Sequence, residues 1–319
     1  MSISILGAGA FGTALAINLA NTRSDVSLWG RDEAVIQTMR ESLENKARLP
    51  GIPMPTALAI HSDLATATQA ETILLAIPAQ RLRGFLAQNA ALLNGKTLVV
   101  CSKGIDLETG DGPTATIAKL CPNAQAVILT GPSFATDIAR GLPTALTLAM
   151  GDNGKDLQQQ LSTNNIRLYS TADRRGAELG GAIKNVIAIA CGTAIGANLG
   201  ESARAALMTR GFVEMTRYAT RLGAKESTLA GLSGFGDLVL TCTSEKSRNY
   251  MAGLALGQGK PLPTGMTIEG TATAHALVAA AQTGRFEMPI SSAVSAIVSG
   301  QCSVAEAMGG LLSRPLKEE

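Results

Sequence analysis

The stretch Ser2–Gly12, SISILGAGAFG, joins a short apolar strand to a turn that carries glycine at positions 7, 9 and 12. A helix is predicted directly after it, over Thr13–Asn21, and a second strand over Asp25–Trp29. In such a G-x-G-x-x-G turn the first glycine permits the tight bend, the second lets the backbone approach a pyrophosphate, and the third lets helix and strand pack closely. The free N–H groups at the helix start attract the anion. Because the turn lies between a strand and a helix, it predicts dinucleotide binding.

The residues at the end of the second strand bear on the choice of cofactor. Sites for NAD usually place an acidic residue there, about 20 residues after the glycines, to bind the ribose hydroxyl. Here Arg31 occupies that place, and Asp32 and Glu33 follow it. A guanidinium pairs readily with a 2′-phosphate. We therefore expect NADP(H), with NAD(H) as the alternative. The alternative interpretation is that Arg31 is a solvated surface residue that binds no ligand.

The alternation of strands and helices continues to about residue 172. Further strands are predicted over residues 57–61, 71–77, 96–101, 126–130 and 144–149, with an edge strand over 167–170. This alternation indicates an α/β fold of the Rossmann type, a doubly wound and mostly parallel sheet with helices on both faces. Beyond it the pattern is all-helical. The sequence therefore predicts an α/β domain over residues 1–172 and an all-α domain over residues 173–319.

Composition narrows the class of protein. The 319 residues exceed what one core usually holds, which also favours two domains. Lys and Arg number 27 against 25 Asp and Glu, and no basic stripe is present, so nucleic-acid binding is not expected. The longest uncharged run, Met288–Ala305, contains a proline and five serines. It predicts a buried helix and no membrane span.

The numbers and spacing of cysteine and histidine limit which disulfide, metal and catalytic sites are expected. The five cysteines are widely spread without a C-x-x-C pair, so neither a disulfide framework nor a metal site is expected. A reduced, cytoplasmic setting fits this pattern, and a chain that enters a strand directly predicts no signal peptide. The two histidines, His61 and His275, are interpreted as surface or packing residues. A proton donor is therefore sought among the lysines.

Polar residues of the first half stand where predicted strands end. Lys103 follows one strand, and Gly131 and Ser133 follow the next. Ligands bind beyond the carboxyl ends of strands in open α/β sheets. Lys184 lies farther along, inside the apolar segment GGAIKNVIAIA over residues 180–190. A buried charge is costly there unless it faces a cleft or a partner.

Three further polar groups lie in the helical half. Asp237 and Thr241 are four residues apart within GDLVLTC, so a helix would place them on one face. Ser-Arg-Asn at residues 247–249 is a compact set of anion-binding donors, and Glu269 closes the series. These groups predict a polar site for an anionic ligand.

Together these motifs resemble the bacterial NAD(P)-dependent sn-glycerol-3-phosphate dehydrogenase family. The match runs nearly from end to end and includes GAGAFGTALA, WGRD, SKG, GPSFA, GGAIKNVIAIA, GLSGFGDLVLTCTS, SRN and IEG in this order. The resemblance implies a helical domain like that of 6-phosphogluconate dehydrogenase. It also implies reversible reduction of dihydroxyacetone phosphate to sn-glycerol 3-phosphate with NADP(H) or NAD(H). That product supplies glycerophospholipid synthesis.

The resemblance also implies residue roles. Lys184 would donate the proton in reduction and accept it in oxidation. The substrate would contact Lys103, Gly131, Ser133, Lys184, Asp237, Ser247, Arg248 and Asn249. The nucleotide would contact Gly7, Gly9, Ala10, Phe11, Gly12, Arg31, Lys103, Ala135, Arg248 and Glu269. Ala10 departs from the family's usual serine, which removes one hydroxyl from the pyrophosphate site and keeps the backbone N–H.

Elementary chemistry supports these roles independently. A ketone that receives hydride develops negative charge on its oxygen, which a nearby ammonium stabilises and protonates. Desolvation lowers the pKa of a lysine, and we expect Lys103 to lower the pKa of Lys184 further. Asp237 and Thr241 are expected to orient Lys184, and the donors at residues 247–249 suit a phosphate.

Other interpretations stay open at this point. Lys184 could be the structural partner of a buried acid, Asp237 a helix N-cap, Lys103 a loop charge, and Ser247 the start of a solvated helix. A related β-hydroxyacid dehydrogenase shares the two-domain plan but leaves residues 247–249 unexplained. A catalytically inactive NAD(P)-binding regulatory protein would need changes at the lysines or at Asp237. Apolar faces of the helical half are compatible with a homodimer.

Overall fold

The computed structural model describes residues 2–151, 154–265 and 267–315, and its first half is built on one eight-stranded sheet of order β3-β2-β1-β4-β5-β6-β7-β8. The strands are β1 (Ile3–Leu6), β2 (Val26–Trp29), β3 (Ala59–His61), β4 (Thr72–Leu75), β5 (Thr97–Val100), β6 (Gln125–Thr130), β7 (Thr144–Ala149) and β8 (Ile166–Thr171). Neighbouring strands are parallel except β6 and β7, which are antiparallel. The predicted doubly wound, mostly parallel sheet is confirmed.

The order of the strands creates a crevice beside β1. Ile3 of β1 pairs with Val26 of β2 on one side and with Thr72 of β4 on the other, both in parallel register. The chain therefore winds outward to β3, crosses back over β1, and winds outward again through β4 and β5. A crevice opens beyond the carboxyl ends of strands where their order reverses, and this is where ligands bind in such sheets.

Seven helices accompany the sheet: α1 (Ala10–Ala20), α2 (Glu33–Ser42), α3 (Leu64–Ala67), α4 (Ala79–Leu93), α5 (Pro113–Leu120), α6 (Ala135–Ala139) and α7 (Lys155–Leu161). The strands between them are nearly continuous apolar runs, and every residue of β1 and β4 is buried. Such runs are typical of parallel strands that helices cover on both faces. The helices α2, α5, α6 and α7 are not predicted from the sequence.

The second half is helical, as predicted. Its helices are α8 (Arg174–Gly196), α9 (Gly200–Arg221), α10 (Glu226–Leu229), α11 (Asp237–Cys242), α12 (Arg248–Gly257), α13 (Glu269–Gly284), α14 (Pro289–Val298) and α15 (Val304–Leu312), and a π-helical turn covers Leu232–Gly236. β8 ends at Thr171, and α8 begins at Arg174 after its N-cap Asp173. A domain division after residue 172 stays a prediction.

α8 is the central helix of this half and is packed unusually closely. A Cβ atom on Gly192 would overlap the carbonyl oxygen of Tyr250 in α12, and one on Gly253 would overlap that of Ile189. Glycine at both positions lets the two backbones approach. Within the described residues, α8 alone is long and apolar enough to cross a membrane, and 83% of its apolar window is buried inside the protein.

The uncharged run Met288–Ala305 contains the predicted helix as α14, but one helix does not extend through the whole run. α14 ends at Val298 and α15 starts at Val304. Gly300 between them has a φ of 68°, a conformation that favours glycine. Ser303 and Glu306 then form a capping box that starts α15. The local turn and cap therefore override the apolar composition of the segment.

Candidate active site

The glycine-rich turn lies at the carboxyl end of β1 and opens toward the crevice. Gly7 has a φ of 122°, and a Cβ on Gly12 would overlap the carbonyl oxygen of Gly7, so both positions require glycine. A Cβ on Gly9 would instead meet no described atom within 4 Å. Gly9 is the N-cap of α1 and makes no side-chain cap, which leaves the first N–H groups free for a ligand. Open space before uncapped N–H groups fits a pyrophosphate.

Ala10 and Phe11 are the first two residues of α1. Both are partly buried, and Phe11 packs against the hydrophobic core. The backbone N–H of each residue belongs to the uncapped first turn of the helix. The turn needs no serine hydroxyl at position 10 to present these donors.

The two charged residues that follow β2, Arg31 and Asp32, differ in their contacts. The side chain of Asp32 caps α2 by accepting a hydrogen bond from the N–H of Val35 at 3.2 Å. Arg31 is exposed and makes no hydrogen bond or ion pair with any described residue. The carboxylate is thus used within the fold, whereas the guanidinium remains open to a ligand.

A second polar group is built from three separate elements. Lys184, in the middle of α8, donates to Oδ1 of Asp237 at 2.5 Å and to the hydroxyl of Thr241 at 2.7 Å. Lys103, which follows β5, donates to Oδ2 of the same aspartate at 2.6 Å and to the carbonyl of Gly131 at 3.3 Å. We call Lys103, Lys184, Asp237 and Thr241 the lysine cluster. Its two ammonium groups share one carboxylate.

The lysine cluster is largely removed from water. Lys184 is 5% exposed and Asp237 is 1% exposed. Burial lowers the pKa of the Lys184 ammonium, the nearby charge of Lys103 adds to this effect and Asp237 opposes it, and the resulting pKa is about 8. The predicted direction and its two causes are confirmed. An ammonium with such a pKa can exchange its proton near neutral pH.

Local backbone geometry delivers Asp237 to the lysines. A Cβ on Gly180 would lie 2.8 Å from the carbonyl oxygen of Ser233, so glycine lets the π-helical turn pack on α8. That turn leads directly into α11, of which Asp237 is the first residue and Gly236 the N-cap. The interpretation of Asp237 as an N-cap is therefore wrong, because its carboxylate is directed to the lysines. Thr241 lies one turn farther along α11.

The segment at residues 247–249 starts α12. The Ser247 hydroxyl is the N-cap and accepts from the N–H of Tyr250 at 3.2 Å, so the segment does start a helix, but the interpretation of that start as solvated is wrong because Ser247 is buried. Asn249 accepts from the N–H of Gly270 at 3.0 Å, and both side chains are buried. Arg248 between them is exposed. The guanidinium and the Asn249 amide N–H groups remain as donors for an anion.

Glu269 and the turn after β6 complete the site. Burial raises the pKa of the Glu269 carboxyl, while Arg248, the N–H of Ala79 and both clustered lysines lower it, so Glu269 lies among these groups. The carbonyl of Gly131 also accepts from the Ser133 hydroxyl at 3.3 Å. Ala135 opens α6 immediately afterwards.

Two buried hydroxyls at this edge of the sheet are absent from the sequence-based site. The oxygens of Ser102 and Thr130 have no hydrogen-bond partner among the described residues. Ser102 follows β5 and Thr130 ends β6, directly before Lys103 and Gly131. Their position directly before Lys103 and Gly131 is the sequence feature that could have identified them as site residues. Unpartnered buried oxygens are rare and mark places where water or a ligand completes the site.

The structure thus brings most predicted residues to one crevice. The lysine cluster contacts Gly131 directly, and Glu269 and Arg248 lie beside it. Arg31 does not join them, since it lies beyond β2 near the glycine-rich turn. The arrangement contains a glycine-rich turn with uncapped N–H groups, a buried ammonium and a set of donors suited to an anion.

Comparison with known proteins identifies the family. The N-terminal model of NAD-dependent glycerol-3-phosphate dehydrogenase matches residues 2–156 and the C-terminal model matches residues 173–309. A glycerol-3-phosphate dehydrogenase from Roseobacter denitrificans, named as acting with NAD(P)+, is 59% identical and is covered over 100% of both chains.

Solved structures agree with this match. The crystal structure of a glycerol-3-phosphate dehydrogenase from Coxiella burnetii superposes with a TM-score of 0.93 at 36% identity, over 98% of this chain and 99% of that one. A ketopantoate reductase from Ralstonia eutropha reaches a TM-score of 0.63 at 14% identity, over 98% and 100%, which shows a shared fold alone. The chain therefore belongs to the NAD-dependent glycerol-3-phosphate dehydrogenase family of oxidoreductases.

Proposed function

We propose that this protein reduces dihydroxyacetone phosphate to sn-glycerol 3-phosphate, reversibly, with NADP(H) or NAD(H). The observation that carries the proposal is the lysine cluster beside the dinucleotide turn, with Lys184 bonded to Asp237 and Thr241 in a buried setting. Membership of the family and 59% identity to a glycerol-3-phosphate dehydrogenase support the same reaction.

Lys184 is the proton donor in reduction and the acceptor in oxidation. A bound nicotinamide supplies hydride to the ketone carbon, or takes it back in the reverse direction. The ammonium of Lys184 stabilises the negative charge that develops on the substrate oxygen and then protonates it. A pKa of about 8 keeps this group charged at neutral pH and still able to release its proton.

Asp237, Thr241 and Lys103 prepare Lys184 for this transfer. Asp237 and Thr241 hold the Lys184 ammonium in one rotamer through bonds of 2.5 and 2.7 Å. Lys103 adds a second positive charge, and its bond to the Gly131 carbonyl ties the cluster to the sheet. The added charge lowers the pKa of Lys184 and attracts the substrate oxygen.

The phosphate of the substrate binds at the start of α12. Arg248 offers a forked pair of donors, and the Asn249 amide and the Ser247 hydroxyl offer neutral ones. Gly131 and Ser133 line the opposite side. Holding the phosphate positions the carbonyl carbon for hydride transfer.

The nucleotide binds across the glycine-rich turn. Its contacts are Gly7, Gly9, Ala10, Phe11, Gly12, Arg31, Lys103, Ala135, Arg248 and Glu269. We infer a preference for NADP(H), supported by the free guanidinium of Arg31 and by Asp32, whose carboxylate is engaged in capping α2.

The cellular setting follows from the family and the chain. We propose a cytoplasmic enzyme that supplies glycerophospholipid synthesis, supported by cysteines that form no disulfide within the described residues. We also propose a homodimer through the helical half, supported by exposed apolar side chains such as Leu199, 40% exposed, and Leu312, 77% exposed. The chain divides into residues 1–172 and 173–319.

One assay tests the function. Oxidation of NADPH is followed at 340 nm with dihydroxyacetone phosphate as the substrate, and the product is identified as sn-glycerol 3-phosphate. Lys184→Ala is expected to abolish turnover because it removes the proposed proton donor, while NADPH still binds. Lys225→Ala, at an exposed lysine of the helical half, is the control.

Three results would contradict the proposal. Near-wild-type kcat in Lys184→Ala would remove the proton-donor role. Equal use of unphosphorylated dihydroxyacetone by the wild type would remove the phosphate site. Absence of any turnover in the wild type would favour an NAD(P)-binding regulatory protein.

A further inference from the structure

An ion pair crosses from the helical half to the sheet half beside the substrate crevice. The ammonium of Lys246 lies 2.9 Å from Oδ1 of Asp137 and 5.6 Å from the centre of the Phe134 ring. Lys246 is 55% exposed and Asp137 is 28% exposed. The partners are 109 residues apart in the chain, so tertiary packing alone brings them together. We call Lys246, Asp137 and Phe134 the cross-cleft clasp.

Each end of the clasp is fixed to a segment that is proposed to bind the substrate. Lys246 directly precedes Ser247, the buried N-cap of α12, and the N–H of Ser247 bonds the carbonyl of Ser244 at 3.0 Å. On the other side, Phe134 is the N-cap of α6 and directly follows Ser133. The carbonyl of Phe134 accepts from the N–H of Asp137 at 3.1 Å. Movement at either end of the clasp therefore moves a proposed phosphate-binding segment.

We propose that Lys246 is a positioning residue that, through Asp137, sets the spacing between the Gly131–Ser133 turn and the donors at residues 247–249. The clasp thereby lowers the KM for the phosphorylated substrate. This inference rests on the proposed function and adds a specificity determinant to it. Because its ammonium is paired with Asp137 and lies over the Phe134 ring, we assign the effect of Lys246 to these neighbours, and the Asp137 variant below separates this role from direct phosphate binding.

The physical basis is preorganisation. Binding a small anion between two segments is weaker when those segments must first be ordered, so a contact that orders them in advance improves affinity. Arg248 is the contrasting case, since its guanidinium is exposed and is the donor aimed at the ligand. Exposed ion pairs contribute little, which predicts a change in KM of about two- to fivefold and no larger.

The test is a double-mutant cycle in steady-state kinetics with dihydroxyacetone phosphate and saturating NADPH. Lys246→Met and Asp137→Asn are each expected to raise KM about two- to fivefold with kcat nearly unchanged, because the chemistry at Lys184 is untouched. The double variant is expected to be no worse than either single variant, since both remove the same contact. Lys246→Arg, which can renew the ion pair, is expected to restore KM.

A matched control separates the clasp from a general loss of surface charge. Lys119→Met breaks the ion pair with Asp111, which lies on the surface of the sheet half and involves a lysine that is 64% exposed. Its KM is expected to equal that of the wild type. An equal rise in Lys119→Met would overturn the clasp.

Other outcomes also decide the question. If Lys246 bound the phosphate directly, Asp137→Asn would release its ammonium and lower KM, which is the opposite of the expected change. Additive effects in the double variant, or an unchanged KM in Lys246→Met, would equally sink the clasp. If the wild type itself failed to oxidise NADPH with dihydroxyacetone phosphate, the proposed function would fail before the clasp was reached.

Discussion

Replacing Asp237 by asparagine tests the electrostatics of the lysine cluster directly. The Asp237 carboxylate accepts from Lys184 at 2.5 Å and from Lys103 at 2.6 Å, and it is almost fully buried. Asp237→Asn keeps the size of the side chain and removes its charge. The two ammonium groups then face each other without a counter-charge, so the pKa of Lys184 must fall below its wild-type value.

The size of the effect can be worked out at pH 7. With a pKa of about 8, Lys184 is about 90% protonated at that pH. Loss of an adjacent opposite charge lowers a pKa by about 1–3 units, and a fall of about two units would leave roughly a tenth of Lys184 protonated. Reduction needs the protonated form. Its kcat at pH 7 should therefore fall about tenfold from protonation alone.

The assay is the pH dependence of kcat in both directions. In the wild type, reduction is lost and oxidation is gained as the pH rises through about 8, because reduction uses the ammonium and oxidation uses the amine. In Asp237→Asn both midpoints are expected to move to lower pH, so reduction recovers in acidic buffer. Asp237→Glu keeps the charge and should keep the midpoint even where its geometry lowers the rate.

A midpoint that stays in place or rises in Asp237→Asn would refute this reasoning. It would mean that hydrogen bonding and not charge sets the proton affinity of Lys184. A uniform loss of rate at every pH would lead to the same conclusion. Only a shift to lower pH agrees with two ammonium groups sharing one carboxylate.

Three further substitutions test the nucleotide site. Gly9→Ala adds a methyl group to open space, so we expect unchanged thermal unfolding and NADPH binding weakened about tenfold or more in a fluorescence titration. Gly12→Ala forces a methyl group onto the Gly7 carbonyl, and we expect unfolding to become easier by about 1–3 kcal/mol. Arg31→Ala should lower kcat/KM for NADPH and leave that for NADH; an unchanged NADPH preference would exclude Arg31 as the 2′-phosphate ligand.

The sheet was largely predictable because its determinants are local. β7 is predicted and observed over Thr144–Ala149, and the other strands agree to within one or two residues at most ends. Short apolar runs predict strands, and the glycine and proline residues between them indicate where each strand ends. The antiparallel direction of β7 was not predictable, since strand direction depends on the path of the connection and not on the strand's residues.

The sequence identified the residues of the site but did not predict the contacts among them. Lys103 and Lys184 stand out because they interrupt apolar stretches, yet their separations from Asp237 are 134 and 53 residues. Local sequence patterns do not show which residues so far apart in the chain come into contact. The pair of Lys246 and Asp137 shows the limit more clearly, because each residue alone resembles an ordinary solvated charge.

The charge balance of the lysine cluster explains why its members are held together. Two ammonium groups around one carboxylate leave an excess of positive charge in a place that water hardly reaches. Burial disfavours charged ammonium groups and is the main cause of the lowered pKa of Lys184, to which the charge of Lys103 adds and which Asp237 opposes. The same low polarity strengthens the attraction to any negative charge that forms on a substrate oxygen. The excess positive charge destabilises the ground state and is relieved as negative charge develops on the substrate oxygen, so it lowers the barrier of the reaction. A fully neutralised cluster would not stabilise the transition state more than the ground state.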